Sequence, residues 1–281
     1  MPRAQVSPTI ELEYETFGDL THPTVLTVAG WGAQLITFHH EFCERLAQRG
    51  YSVIRFDNRD VGLSTKIEDG SSYTLEDMGA DAVGLLDVLG IDRVHVMGQS
   101  MGGMIGQTIA INHSERVLTL TSIYSTTGAP GVGGATQEVV ASWTKPSGTT
   151  REEIVASGIE SSRLIWGDTP EFPFDVEHAR WRSEVHYDRC HYPVGRLRHA
   201  LAMRASGDRT PALRRLRVPT LVIHGDNDTL INISGGEATA AAIPGAEFVV
   251  IKGMGHVIAR HAWDRIIDAF ANLVQREAAR A

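Results

Sequence analysis

The sequence predicts a doubly wound α/β domain, with a mostly parallel sheet, helices on both faces and an inserted helical cap. Three observations predict it. Short apolar runs alternate with helical patterns, a rhythm that requires parallel strands joined by right-handed crossovers. One such run, Val94-His95-Val96-Met97, ends in Gly98-Gln99-Ser100-Met101-Gly102 and passes directly into a helical pattern carrying Met101, Met104, Ile105 and Ile109 on one face. Between Thr127 and Arg215 the rhythm stops, and a block of that size is too long for an ordinary connection within an α/β unit. The expected division is therefore a core of residues 1–126 and 216–281 with a helical cap at 127–215.

Taken in order, Thr9 to Thr16 alternates apolar and polar residues, as a half-exposed strand near a sheet edge does. The run from Pro23 to Val28 reads as a buried strand feeding the turn Ala29-Gly30-Trp31-Gly32. A helix over about Phe38 to Arg49 stops at Gly50, a natural residue just past a helix end. Tyr51 to Phe56 is the next strand, followed by the polar loop Asp57 to Ser64. Thr74 with Asp77 forms a capping-box pattern at the head of a helix that reaches Gly90. After the Val94 strand and its helix, Val117 to Tyr124 is a strand. Gly128 to Gly134 opens the cap, a segment rich in Trp, His, Arg and Tyr. The rhythm resumes with a strand over Val218 to Gly225, a helix over Gly236 to Ala242 and a strand over Ala246 to Ile251. A last helix over about Val257 to Arg276 carries Trp263, Ile266, Ile267, Phe270 and Val274 on one face.

Composition excludes several functions. The 281 residues carry 26 Lys and Arg against 34 Asp and Glu, a formal charge of −8, and no basic stripe that would neutralise phosphates. Nucleic acid is not an expected partner. Neither a leader-like apolar segment nor a membrane-length apolar run is evident, so a cytoplasmic protein with no membrane partner is expected. Cys43 and Cys190 carry no disulfide pattern and read as thiols in a reducing compartment. No cofactor is expected, and a monomer or a homo-oligomer is open.

Ser100 is the candidate nucleophile. A Gly-x-Ser-x-Gly turn between strand and helix holds the Ser in a strained conformation with its hydroxyl clear of the sheet, and glycines at the flanking positions leave room for the crossing. A Ser hydroxyl is a weak nucleophile near neutrality and needs a His to accept its proton and a third group to orient that His. The carboxyl ends of parallel strands converge along one edge. Asp226 and Asp228 follow the strand ending at Gly225, and His256 follows the strand ending at Ile251, so both loops open beside Ser100.

These pieces resemble the α/β-hydrolase superfamily of the serine esterase type over nearly the whole chain. The matching residues are Ala29-Gly30-Trp31-Gly32, the loop Asp57 to Ser64, the elbow Gly98 to Gly102, His224-Gly225-x-x-Asp228 and Gly253-x-Gly255-His256. The loop Phe56 to Ser64 also resembles the anthracycline methylesterase-like branch, which favours esters. The resemblance implies Ser100 as nucleophile, His256 as general base and acid, and Asp228 rather than Asp226 as the orienting carboxylate. It also implies an oxyanion hole from the backbone N–H groups of Trp31 and Met101, the latter at a helix N-terminus. Ala29 stands where the family commonly has His, which leaves those backbone donors in place.

The function expected is hydrolysis of a small-molecule carboxylic ester with an apolar portion, through an acyl-enzyme. The same triad could act on a carbon–carbon bond, a lactone, an amide or peroxide. A dehalogenase or epoxide hydrolase of this fold would need Asp where Ser100 stands, and a non-enzymatic scaffold would suit a broken triad, whereas all three members are present. Trp31, Trp143, Trp166 and Tyr187 are expected to line the pocket. No metal is expected: His186 and His191 lack ligand spacing, and Ser142-x-x-Lys145 lacks the motifs that would give it meaning.

Overall fold

The computed structural model describes residues 2–280. Its single sheet has eight strands: β1 (Arg3–Ser7), β2 (Ile10–Phe17), β3 (Thr24–Val28), β4 (Ser52–Phe56), β5 (Val94–Gln99), β6 (Val117–Ile123), β7 (Thr220–Gly225) and β8 (Glu247–Ile251). Their spatial order is β1-β2-β4-β3-β5-β6-β7-β8. β1 and β2 pair antiparallel, β2 joins β4 antiparallel, and every later pairing is parallel. Only one residue of β1, Ala4, is buried, so the strand carries no alternation for the sequence to betray.

The central strands are apolar on both faces because helices cover both. Leu26 and Val28 of β3 and Val94 and Val96 of β5 face one core, which also contains Leu75, Met78, Ile105 and Ile109. These last come from α2 (Leu75–Val88) and α3 (Met101–Asn112). Val25, Val53 and Met97 point the other way, toward Phe42, Leu46, Trp263 and Phe270. Those side chains belong to α1 (His40–Gln48) and α10 (Trp263–Ala278).

Helix boundaries follow local chemistry. Thr74 and Asp77 form the expected capping box at the head of α2. α1 begins at His40 because the His39 side chain caps it by accepting from the Glu41 N–H. That role draws His39 inward against Trp181 and Trp263, away from the surface position its neighbour His40 occupies. α10 begins six residues later than its apolar periodicity suggests. Val257, Ile258 and Ala259 are buried but not helical, and Ala259 is extended at φ −64° and ψ 148°.

Between β6 and β7 lie only helices among the described residues: α4 (Gln137–Ser142), α5 (Arg151–Trp166), α6 (Val176–Arg189), α7 (Pro193–Ser206) and the single turn α8 (Thr210–Leu213). α9 (Ser234–Ala242) connects β7 to β8.

Candidate active site

Ser100 sits between β5 and α3 with φ 56° and ψ −124°, a conformation L residues avoid. The surroundings hold it there. Its N–H donates to Ile123 O at 2.9 Å, and the Ser125 hydroxyl donates to Ser100 O at 2.7 Å. Glycine is obligatory on both sides: a Cβ on Gly98 would stand 2.1 Å from Gly102 O, and one on Gly102 would stand 1.9 Å from Val28 O.

The loops after β7 and β8 meet beside this turn. His256 Nδ1 donates to Asp228 Oδ2 at 2.7 Å. Asp228 Oδ1 accepts the N–H groups of Leu230 and Ile231, both at 2.9 Å, so the carboxylate is held on two sides. Burial pushes its pKa up, but the adjacent His256 and His224 rings outweigh burial and hold it at about 2. His224, fully buried beneath it, donates from Nε2 to Ile231 O at 2.8 Å and is structural. Asp226 is exposed and accepts the Gly253 N–H, so it shapes the turn before His256 and does not touch the ring.

The base is fixed from the other side too. His256 N–H donates to Ile165 O at 2.7 Å, and Gly255 packs so closely on α5 that a Cβ there would meet the Trp166 carbonyl carbon at 2.3 Å. The Tyr124 ring lies 4.4 Å from the His256 ring, centroid to centroid. Ser100 and His256 line one cavity, with no direct hydrogen bond between the two side chains.

The turn after β3 closes over the nucleophile, with Gly30 so near that a Cβ would lie 3.1 Å from Ser100 Cβ. His199 of α7 accepts the Gly32 N–H at 3.2 Å and pins the turn. Met101 is the first residue of α3, where N–H groups have no acceptor within the helix.

An α/β-hydrolase fold model matches residues 23–153. A rhodomycin D methylesterase of Streptomyces sp. (strain C5) is 29% identical over 273 residues, covering 89% of this chain and 90% of the relative. A 3-oxoadipate enol-lactonase of Acinetobacter baylyi is 27% identical and covers 81% of this chain and 80% of its own. Among solved structures, a thermophilic esterase from Thermogutta terrifontis superposes with TM-score 0.74 at 25% identity, covering 99% of both chains. The protein has the α/β-hydrolase fold.

The cavity at Ser100 has a volume of about 550 Å³ and lies between the sheet edge and helices α4 to α7. Trp31, Trp143 and Tyr187 line it. Trp166 does not. Its ring is 1% exposed, donates from Nε1 to Pro173 O and packs on Phe174 in the core cluster that holds Phe172 and Trp263, while its neighbours Leu164 and Ile165 face the cavity. Sequence reasoning also missed Arg182 and Arg196, which line the cavity from α6 and α7. Among the described residues no group of three or more His, Cys, Asp or Glu could hold a metal ion, and no helix is long and apolar enough to cross a membrane.

Proposed function

We propose that this α/β hydrolase cleaves carboxylic esters of small molecules through an acyl-enzyme. Ser100 Oγ attacks the ester carbonyl while His256 Nε2 takes its proton. Asp228 holds the imidazole in the tautomer that leaves Nε2 free and stabilises the imidazolium. The N–H groups of Trp31 and Met101 receive the developing oxyanion, a contribution of about 3 to 4 kcal/mol per donor in such sites. His256 returns the proton to the departing alcohol, water then attacks the acyl-enzyme, and no cofactor or metal enters the cycle. Residues 127–215 act as a cap that shapes the pocket over a core of residues 1–126 and 216–281.

The observation that carries the reading is His256 hydrogen-bonded to the Asp228 carboxylate and opening on the same cavity as a strained Ser100. The similar methylesterase supports ester chemistry, and the similar enol-lactonase extends it to lactones, which are internal esters using the same acyl-enzyme. We place the work of this chain inside the cell, free of nucleic acid and membrane partners.

The test is a stopped-flow time course with p-nitrophenyl esters of increasing acyl length. A burst near one equivalent that disappears in Ser100→Ala is expected, and the length profile sizes the pocket. No turnover of any ester by folded protein, with Ser100 unlabelled by an organophosphonate, would end the reading in favour of carbon–carbon or peroxide chemistry or a scaffold.

A further inference from the structure

The cavity above Ser100 is lined by two arginines in a chain whose net charge is −8. Arg182, Arg196, His178, His186, His191 and His256 line it, and among the described residues no Asp or Glu does. The chain treats its other buried and half-buried arginines differently. Arg55 pairs with Glu15, Arg59 with Asp81 at 2.6 Å, and Arg189 with Asp57 at 3.0 Å. Arg209 has no carboxylate but is satisfied by Gln107 Oε1 and two carbonyl oxygens.

Arg182 is the exception. It makes one hydrogen bond, from Nη2 to Ser162 Oγ at 2.6 Å, and Ser162 Oγ donates onward to Gly158 O. Burial drives its pKa down, and the one group opposing that shift is the Tyr124 hydroxyl rather than a carboxylate. Its histidine neighbours supply no counter-charge: burial, reinforced by Arg182, holds His178 and His186 near 4, so both are neutral at neutral pH. A guanidinium has five N–H donors, and one half-buried at a cavity wall with a single hydrogen bond keeps donors free for an anion in the cavity. A carboxylate fits its planar fork in bidentate fashion. Gln99, which lines the same cavity and accepts from Tyr124, keeps a buried Nε2 donor with no acceptor.

The position of Arg182 relates it to the reaction. Tyr124, on which its charge acts, packs at a tilt against His256, so the guanidinium and the base share a neighbour, and both line the cavity. Arg196 lies 4.2 Å above the Trp31 ring, where the ring face already meets its charge.

We propose that Arg182 binds a carboxylate carried by the substrate, so that the esters cleaved at Ser100 are monoesters of dicarboxylic acids or comparable anionic esters. This rests on the esterase reading of Ser100. Arg182 is a specificity-determining residue, since its partner is the part of the substrate that does not react.

The experiment compares methyl hydrogen glutarate with methyl pentanoate, a neutral ester of the same chain length, in the wild-type protein and in Arg182→Leu and Arg182→Lys. In the wild type, kcat/KM for the anionic ester exceeds that for the neutral one by about tenfold or more, the scale of a charge-assisted hydrogen bond. In Arg182→Leu the ratio falls to about one, and Arg182→Lys retains part of it because the charge survives without the fork. Free glutarate inhibits the wild type competitively and Arg182→Leu far less. A wild-type ratio near one, or a loss in Arg182→Leu shared equally by both esters, overturns the proposal. If neither ester turns over and an organophosphonate leaves Ser100 unlabelled, the esterase reading fails by itself. Calorimetry with glutarate then decides the anion site: binding abolished by Arg182→Leu upholds it, and binding of inorganic phosphate without glutarate, or of neither, overturns it.

Discussion

His256 Nδ1 meets Asp228 Oδ2 at 2.7 Å, while Asp226, two residues earlier in the same loop, is turned to solvent and holds the Gly253 N–H. The two carboxylates are therefore separable by mutation. Asp228→Asn keeps the fold, because an amide oxygen still accepts from Leu230 and Ile231, but it presents the wrong group to Nδ1. Its kcat should fall by about 10⁴-fold on an ester substrate, whereas Asp226→Asn should stay within about threefold of wild type. The reverse pattern in steady-state kinetics would reassign the acid.

Acid unfolding reports the same pair. The Asp228 carboxyl moves from 3.8 in the unfolded chain to about 2 when folded. A depressed carboxyl stabilises the folded state fully above its unfolded value and loses that contribution as pH falls through its folded value. Between pH 4 and pH 2 this amounts to about 2 kcal/mol. Urea midpoints over that window should fall less steeply with pH in Asp228→Asn than in wild type. Parallel slopes would show that Asp228 contributes nothing to acid sensitivity.

The backbone strain at Ser100 predicts a split between two inactive variants. Ser100→Ala and Ser100→Gly both remove the nucleophile, but only glycine adopts φ 56° without strain. Ser100→Gly should therefore be more stable than Ser100→Ala by about 1 kcal/mol, seen as a higher thermal midpoint. Equal midpoints would mean that the elbow carries no stored strain.

The parts of the site legible in the sequence are those whose chemistry is local. Gly98, Ser100 and Gly102 lie within five residues and are dictated by one turn, and Thr74 with Asp77 by one helix end. His256 follows from a strand end, and its separation from Asp228 in the chain does not matter once both strands are parallel neighbours. The arginines of α6 gave no signal. That helix buries only Ala179 completely and is half-buried along most of its length, so its sequence has no apolar stripe and reads as a solvated surface. Trp166 was misplaced for a related reason: an aromatic in a cap suits pocket and core alike, and this one faces the core while its neighbours Leu164 and Ile165 face the cavity.

Arg189 joins residues that no local pattern connects. From the end of α6 it donates to Gln34 Oε1 at 2.7 Å and to Asp57 Oδ2 at 3.0 Å, and both partners are fully buried. Asp57 also accepts the N–H groups of Leu35 and Leu63, and Gln34 donates to the carbonyls of His186 and Cys190. The network thus ties the helical segment to the turn that carries Trp31. Arg189→Met leaves the Asp57 carboxylate buried and uncompensated, with Glu13 Oε1 only 3.6 Å from the missing charge. Its destabilisation should reach about 3 to 5 kcal/mol by urea unfolding. Adding Asp57→Asn removes the stranded charge, so the double variant should be more stable than the sum of the single losses requires. Losses that simply add would mean that Arg189 and Asp57 act independently.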